Sequence, residues 1–306
     1  MLTLVTGGAG FIGSNLADAL LADGHEVRIL DDLSAGLRSN VPDGATFVEG
    51  DLCDAALVDD VMDGVEVVFH QGARGSVARS LETPLVTDKV NIGGTLTVLD
   101  AARRAGTRRI VAASSSSVYG GVAPRPSPEA SELVPKSPYA VTKMTGEHYL
   151  RVYSELYPLE TVSLRYFNVY GPRQRPDSAY AAVIPRFIAA LRAGESPEVH
   201  GDGKQSRDFA FVGDVVQANI TAATAPAEAC SGEAYNIAGG REQSLLDLLA
   251  ILGDALGVDV APTHIESRAG DVRHSFADLS RAAADLGWTP TTSFADGLAR
   301  TVASFR

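Results

Sequence analysis

The chain has 306 residues, 45% of them hydrophobic and 21% charged, with a net charge of −12. That length and balance suit a globular protein of one large domain or two unequal ones, and the acidity excludes nucleic acid or an anionic membrane as a general partner. Cys53 and Cys230 match no metal or redox spacing and read as two reduced thiols, and no apolar run reaches the ~18 residues of a membrane span. The chain enters a strand at once, which leaves no room for a signal peptide, so a cytoplasmic protein is expected.

Leu2-Thr3-Leu4-Val5-Thr6 reads as that first strand, followed by Gly7-Gly8-Ala9-Gly10-Phe11-Ile12-Gly13 and a helical pattern from Ser14 to Asp23. Strand, glycine turn and helix in that order form a dinucleotide fingerprint. Gly7 permits the tight turn, Gly10 lets a pyrophosphate approach the backbone, and Gly13 lets helix and strand pack closely. Gly7, Gly10, Phe11, Ile12 and Gly13 are therefore expected at a cofactor. The next strand, 26–30, ends in Asp31-Asp32, where a carboxylate accepts from the adenosine ribose hydroxyls and repels a 2′-phosphate. NAD is favoured over NADP. Arg38, seven residues beyond Asp31, is too far along to rescue a 2′-phosphate.

The alternation continues with strand 45–48, closing at Gly50-Asp51-Leu52, where Asp51 can reach the adenine amine. Helix 54–63, strand 66–70, helix 84–105, strand 108–113, helix 138–157 and strand 160–165 follow. Strands separated by helices imply an α/β protein: a Rossmann-type, doubly wound parallel sheet with right-handed crossovers. Ligands on such sheets bind beyond the carboxyl ends of the strands.

Two further stretches fall on that edge. Ser114-Ser115-Ser116-Ser117-Val118-Tyr119-Gly120 closes strand 108–113, and Ser137-Pro138-Tyr139 opens a helix, with Ser137 as N-cap and Pro138 at the first position. Tyr139 and Lys143 are four residues apart, hence on one helix face. The lysine charge and the positive helix end both favour the phenolate, so the Tyr139 pKa is expected below its usual value near 10. A serine hydroxyl could share the proton that Tyr139 moves. Tyr-x-x-x-Lys alone is a weak signal; its position facing the glycine turn gives it weight.

Thr6–Gly13, the serine run ending Val118-Tyr119-Gly120, and Tyr139-x-x-x-Lys143 together resemble the extended short-chain dehydrogenase/reductases, and within them the nucleotide-sugar 4-epimerases, nearly end to end. The resemblance implies Ser115, Tyr139 and Lys143 as the catalytic trio, with Tyr139, Lys143 and Asn91 near the cofactor together with Asp31, Asp32, Asp51 and Leu52. It implies that Asn168, in Arg165-Tyr166-Phe167-Asn168-Val169-Tyr170-Gly171-Pro172-Arg173, contacts a substrate diphosphate, and that 182–187, including Val183, lies against the nucleobase. Arg207 follows a glycine turn and can fork onto phosphate oxygens. Arg268 and Asp271 match a pair holding phosphate and uridine ribose. Counting on from Asp271 puts the position that gates hexose size at Ser275.

A nucleotide-sugar-binding domain is thus expected over 166–306 beside an NAD-binding domain over 1–165, with segments near 210–240 able to rejoin the first. Trp288 reads as core. Relatives pair through helices 84–105 and 138–157, so a homodimer is expected.

The serine run also separates reactions. Family dehydratases carry an Asp-Glu pair before Val-Tyr-Gly, and decarboxylases a Glu; here the positions are Ser116 and Ser117. What remains is NAD-dependent inversion at C4 of a UDP-sugar. The stretches at 70–80 and 180–185 look most like epimerases of UDP-N-acetylglucosamine or UDP-glucuronate, with UDP-glucose also open. For a glucuronate, Ser116, Ser117 and Arg74 or Arg173 could receive the carboxylate. Alternatives are a dehydrogenase or decarboxylase of the same family, or a non-catalytic NAD-sensing protein that has no need of Tyr139 and Lys143 together.

Overall fold

The structure is a computed structural model that describes residues 1–176, 182–266 and 272–305. Strands β1 (Leu2–Thr6), β2 (Glu26–Asp31), β3 (Thr46–Glu49), β4 (Val67–His70), β5 (Arg109–Ser115) and β6 (Glu160–Tyr166) alternate with helices α1 (Phe11–Ala22), α2 (Ala55–Met62), α3 (Val77–Glu82), α4 (Pro84–Asp88), α5 (Gly94–Ala105) and α6 (Pro138–Leu156). There follow α7 (Val183–Arg192), β7 (Glu198–His200), β8 (Ser206–Asp208), α8 (Val212–Thr224), α9 (Ala227–Cys230), β9 (Glu233–Ile237), β10 (Glu242–Ser244), α10 (Leu245–Leu256), β11 (Thr263–Ile265), β12 (His274–Ser275) and α11 (Phe294–Ser304).

The main sheet runs β3-β2-β1-β4-β5-β6-β9, every pairing parallel. Side chains alternate between its two buried faces, as the period of a strand requires. Val5, Ile29, Phe69, Val111 and Val162 face α1 and α8; Leu4, Leu30, Val68, Ile110 and Ala112 face α2, α5 and α6. Strand order reverses between β1 and β4, and that switch point opens a crevice at the carboxyl edge of the sheet. Beyond β6 the chain builds a small sheet β10-β8-β12 and a parallel pair β11-β7. Their core is aromatic and leucine-rich, with Tyr170, Phe187, Phe209, Phe211, Leu248 and Leu252 buried.

Capping explains the helix starts that matter for the crevice. Ser137 accepts from the Ala140 amide at 3.2 Å, and Pro138 occupies the first position of α6. Gly10 precedes α1 and Ala182 precedes α7; neither side chain can cap. Both helices therefore offer uncapped first-turn amides toward the sites they border.

Three expectations need correction. The helix over 84–105 is interrupted: Pro84 starts α4, Lys89–Gly93 forms a π-turn, and α5 begins only at Gly94. Within that turn the Thr95 hydroxyl takes the Asn91 carbonyl at 2.6 Å, and the Asn91 side chain bonds Arg74 and Thr142. A polar residue bonded to neighbouring elements thus competes with the regular ladder. α1 starts at Phe11, three residues earlier than the apolar spacing suggests, directly off the glycine turn. β5 runs on to Ser115, so Ser114 and Ser115 are strand residues paired with Arg165 and Tyr166.

Trp288 is core, with its indole donating to the Asp214 carbonyl at 3.1 Å, and both cysteines are free thiols. Among the described residues no helix is long and apolar enough to cross a membrane.

Candidate active site

A cavity of about 470 Å³ lies along the crevice, lined from the glycine turn through Asp31, Asp32, Asp51 and Leu52 to Arg74, Ser114, Tyr139 and Lys143. The turn is sterically closed to any side chain at two points. Gly7 has φ of +68°, and a Cβ on Gly13 would lie 2.2 Å from the Gly7 carbonyl oxygen. Gly10, Phe11, Ile12 and Gly13 then present the start of α1 to the cavity. Asp31 is buried, and its two oxygens accept from Ala9 N at 3.0 Å and Leu33 N at 2.8 Å. Burial raises its pKa while those amides pull it back down. The carboxylate is thus part of the turn's framework, with second lone pairs left to accept ligand hydroxyls. Asp32 is more exposed and accepts from the Ser34 amide at 2.9 Å. Asp51 accepts from Cys53 N at 2.9 Å. Arg38 lies over the Phe47 ring, 3.9 Å from its centroid, and does not line the cavity.

At the other end, β5 meets α6. The Ser115 hydroxyl accepts from Ser117 N at 3.1 Å and lies close enough to the Tyr139 phenol to favour its ionised form, though Ser115 lines neither cavity. Lys143 Nζ donates to the Ala113 carbonyl at 2.7 Å and sits 5.9 Å from the centroid of the Tyr139 ring. The expected fall in the phenol pKa is not found. Burial pushes it up, and the nearby Ser115 hydroxyl is what opposes that. The lysine spends a hydrogen bond on Ala113, and burial of its ammonium lowers its own pKa to about 8. In the free chain at neutral pH the proton therefore rests on Tyr139.

His70, at the end of β4, is a buried neutral imidazole. Thr95 gives its proton to the Asn91 carbonyl and so accepts from His70 Nε2 at 2.9 Å; Nδ1 then accepts from Thr6 at 2.8 Å. Burial, with the Lys143 charge adding to it, lowers its pKa to about 3. The Thr6 oxygen also accepts from Gly72 N at 3.1 Å, which fixes the loop after β4 against the glycine turn. Asn91 holds the same loop, accepting from Arg74 N at 2.7 Å and donating to Thr142 at 3.0 Å on α6. It braces the cavity wall without lining the cavity.

A second cavity, about 270 Å³, adjoins the first through Gln174 and Ala182 and is lined by Asn168, Val183, Phe187, His200, Arg207 and Phe209 among others. Asn168 adopts φ of +37° and donates to the Asp208 carbonyl at 3.1 Å. Arg173 does not join this group; it lines the first cavity, paired with Asp18 of α1 at 2.6 Å. Ser116 and Ser117 form the short 3₁₀ turn after β5, and Ser275 pairs with Arg207 across β12 and β8; none of the three lines either cavity. Arg268 and Asp271 lie outside the described residues. Sequence spacing did not reveal Ser114, Gln71, Gln174, His200, Gln205 or Phe209 as lining residues. They come together from separate elements, at no fixed interval.

The first cavity fits a dinucleotide on three observations. The glycine turn would be displaced by any Cβ at Gly13, which would strike the Gly7 carbonyl. The start of α1 has no side-chain cap. Arg74 Nε is a buried donor with no hydrogen-bond partner among the described residues. Each suits a polyanionic ligand.

A model of the NAD dependent epimerase/dehydratase family matches residues 3–238. A UDP-glucose 4-epimerase of Mycolicibacterium smegmatis is 43% identical over 313 aligned residues, spanning 100% of this chain and 99% of that protein. The structure of a Thermotoga maritima UDP-glucose 4-epimerase, solved with UDP-glucose, superposes with a TM-score of 0.95 at 37% identity and covers 100% of this chain and 98% of the other. A UDP-N-acetylglucosamine 4-epimerase of Methanobrevibacter ruminantium, in complex with UDP-N-acetylmuramic acid, gives 0.94 at 38% identity, covering 99% and 97%.

Two outcomes follow from the geometry. Gly13→Val drives a side chain into the Gly7 carbonyl, so the purified variant retains less than about a tenth of the wild-type bound dinucleotide, read by absorbance and by release on denaturation. His70 has a folded pKa below its unfolded value, so its share of stability is present above pH ~6.5 and lost as pH falls toward ~3. At pH 5 that share costs about 2 kcal/mol relative to pH 7. In an NMR titration the His70 Cε1–H signal stays fixed between those pH values, and a midpoint above about 5.5 contradicts the assignment.

Proposed function

The chain belongs to the NAD-dependent epimerase/dehydratase family, and from that premise we propose that it is a UDP-sugar 4-epimerase acting on UDP-glucose. The observation that carries the reading is the joining of two cavities at Gln174 and Ala182, one with the dinucleotide cradle and the Tyr139–Lys143 pair, the other walled by Asn168, Arg207 and the uncapped start of α7. The relatives named for UDP-glucose favour that sugar among the three considered.

Bound NAD supplies a hydride acceptor that gives the hydride back. Gly7, Gly10 and Gly13 would hold its pyrophosphate at the start of α1, Asp31 and Asp32 would take ribose hydroxyls, and Asp51 and Leu52 would border the adenine. Tyr139 takes the proton of the sugar C4 hydroxyl and later returns it, with the Ser115 hydroxyl near the phenol to favour its ionised form. Lys143, held by Ala113, places a positive charge beside the ring and favours the phenolate as the proton moves. Asn168 and Arg207 hold the diphosphate, and Val183 and Phe187 flank the base. With the nucleotide anchored there, a 4-keto sugar can turn about its phosphate linkage and present its other face.

The carboxylates lining the first cavity are Asp31, Asp32 and Asp51, all at the ends of β2 and β3, far along the crevice from Tyr139. Ser116 and Ser117 stand where an eliminating or decarboxylating relative carries an acid. Both points favour epimerisation over the other chemistry in the family's name.

The division of labour places the cofactor on the main sheet (1–165, with β9 and α8 joining it) and the nucleotide sugar on the later segments. α3, α4 and α6 expose Leu81, Leu85 and Leu156 at 65%, 84% and 67%, and we assign that face to a homodimer contact in a cytoplasmic enzyme.

The purified protein interconverts UDP-glucose and UDP-galactose without added reductant and with no net rise at 340 nm. Tyr139→Phe lowers turnover by at least about a hundredfold while still binding UDP-glucose in calorimetry. An unchanged rate removes Tyr139 from the mechanism, and steady NADH release points to a dehydrogenase.

A further inference from the structure

Below the trio, one turn further along α6, lies a carboxylate that the mechanism above does not use. Glu147 follows Lys143 by four residues, as Lys143 follows Tyr139, so the three share a helix face. Its side chain is 9% exposed and is paired with Arg165, 6% exposed, at 2.7 Å through Nη2. Arg165 Nε adds a second bond, 3.0 Å to the other carboxylate oxygen. The Ser114 hydroxyl donates to that same oxygen.

Ser114 and Arg165 are register partners on adjacent strands β5 and β6. Register partners point to the same side of a sheet, so Glu147 grips both strands from the helix that crosses them. The result is a row of one-to-one contacts. The Ala113 carbonyl meets Lys143, Ser114 meets Glu147, and Ser115 stands near the Tyr139 phenol.

A buried ion pair adds little net stability over a well-packed apolar pair of the same size, because both charges lose water. What such a pair can do is fix one arrangement among several. The Arg165 end is itself held: Nη1 donates to the Tyr119 hydroxyl at 2.8 Å, and Tyr119 donates to Asn236 of β9 at 2.7 Å.

Resting on the epimerase reading, we propose that Glu147 is a positioning residue: backed by Arg165, its carboxylate locks α6 in register on the ends of β5 and β6, so that Ser115 and Ala113 stay opposite Tyr139 and Lys143. Among the described residues the titratable groups that bear on Lys143 are Tyr139 and Glu147 on its own helix and the neutral His70 on β4, while Arg165 on β6 acts through Glu147. Glu147 is the partner that raises the Lys143 pKa against the pull of burial. Removing its charge makes the ammonium lose its proton at lower pH.

The test is the pH profile of kcat for the NAD-loaded wild type, Glu147→Gln and Ser114→Ala, with KM for UDP-glucose and the fraction folded measured alongside. Glu147→Gln lowers kcat at pH 7 by about thirtyfold with KM within about threefold, and its alkaline limb moves to lower pH. Ser114→Ala keeps the ion pair and loses a single hydroxyl; its kcat falls about tenfold at unchanged KM. The proposal is overturned by a Ser114→Ala variant within about twofold of wild type, which decides the matter even where the glutamine variant does not fold. It is equally overturned by a Glu147→Gln variant whose activity loss only tracks lost folded protein, with the limb in place. A wild type inactive on UDP-sugars instead refutes the epimerase reading, and is distinguishable because it needs no variant.

Discussion

The structure depends on the contact between the end of β5 and the first two turns of α6. One backbone carbonyl, that of Ala113, fixes the Lys143 ammonium at 2.7 Å, and one hydroxyl, that of Ser115, stands near the phenol and favours its ionised form. These contacts form in a half-buried place, where a charge or an ionising phenol is costly unless its partners are already in position. Burial raises the Tyr139 pKa and lowers that of Lys143 to about 8. The phenol is held protonated beside a charged lysine and moves a proton only when the rest of the site shifts the balance.

Everything else serves to bring other groups to that contact. The reversal of strand order between β1 and β4 opens the crevice, and the Thr6–His70–Thr95 chain ties β1, β4 and α5 together at its floor. Asn91 ties the loop carrying Arg74 to α6. The later segments hang a second cavity on the outer end, with the backbone strained at Asn168 and Arg173, whose φ values are +37° and +71°. Such strain persists where surrounding bonds fix it: Asn168 is held by Asp208, and Arg173 by Asp18. Arg173 thereby belongs to the wall of the dinucleotide cavity, although it lies beyond β6 in the stretch expected to bind the nucleotide sugar.

Features encoded by local spacing were legible in the sequence. The glycine turn, the acidic end of β2, the Ser137–Pro138 start and the four-residue step from Tyr139 to Lys143 each follow from a short stretch and a single geometric rule. The strand alternation then placed them on one edge of one sheet. Features set by partners distant in sequence were not legible. The fall in the Tyr139 pKa was inferred from Lys143 and the positive end of α6, and failed because burial outweighs what opposes it. The long helix over 84–105 was read from its apolar pattern, which cannot register that Thr95 and Asn91 bond across the turn. His200, Gln205 and Phe209 share a cavity through the pairing of β7, β8 and their neighbours, and Glu147 acquires its place from Ser114 and Arg165. Those are tertiary facts.

In the proposed reaction C4 is oxidised and reduced again by a hydride that never leaves the protein. Supplying UDP-glucose deuterated at C4, in ordinary water, tests it in one measurement by mass spectrometry of the UDP-galactose formed. Retention of the deuterium is the result this account predicts. Its replacement by solvent hydrogen means that the C–H bond is broken as a proton, by a base and not to a bound nicotinamide, and contradicts the account.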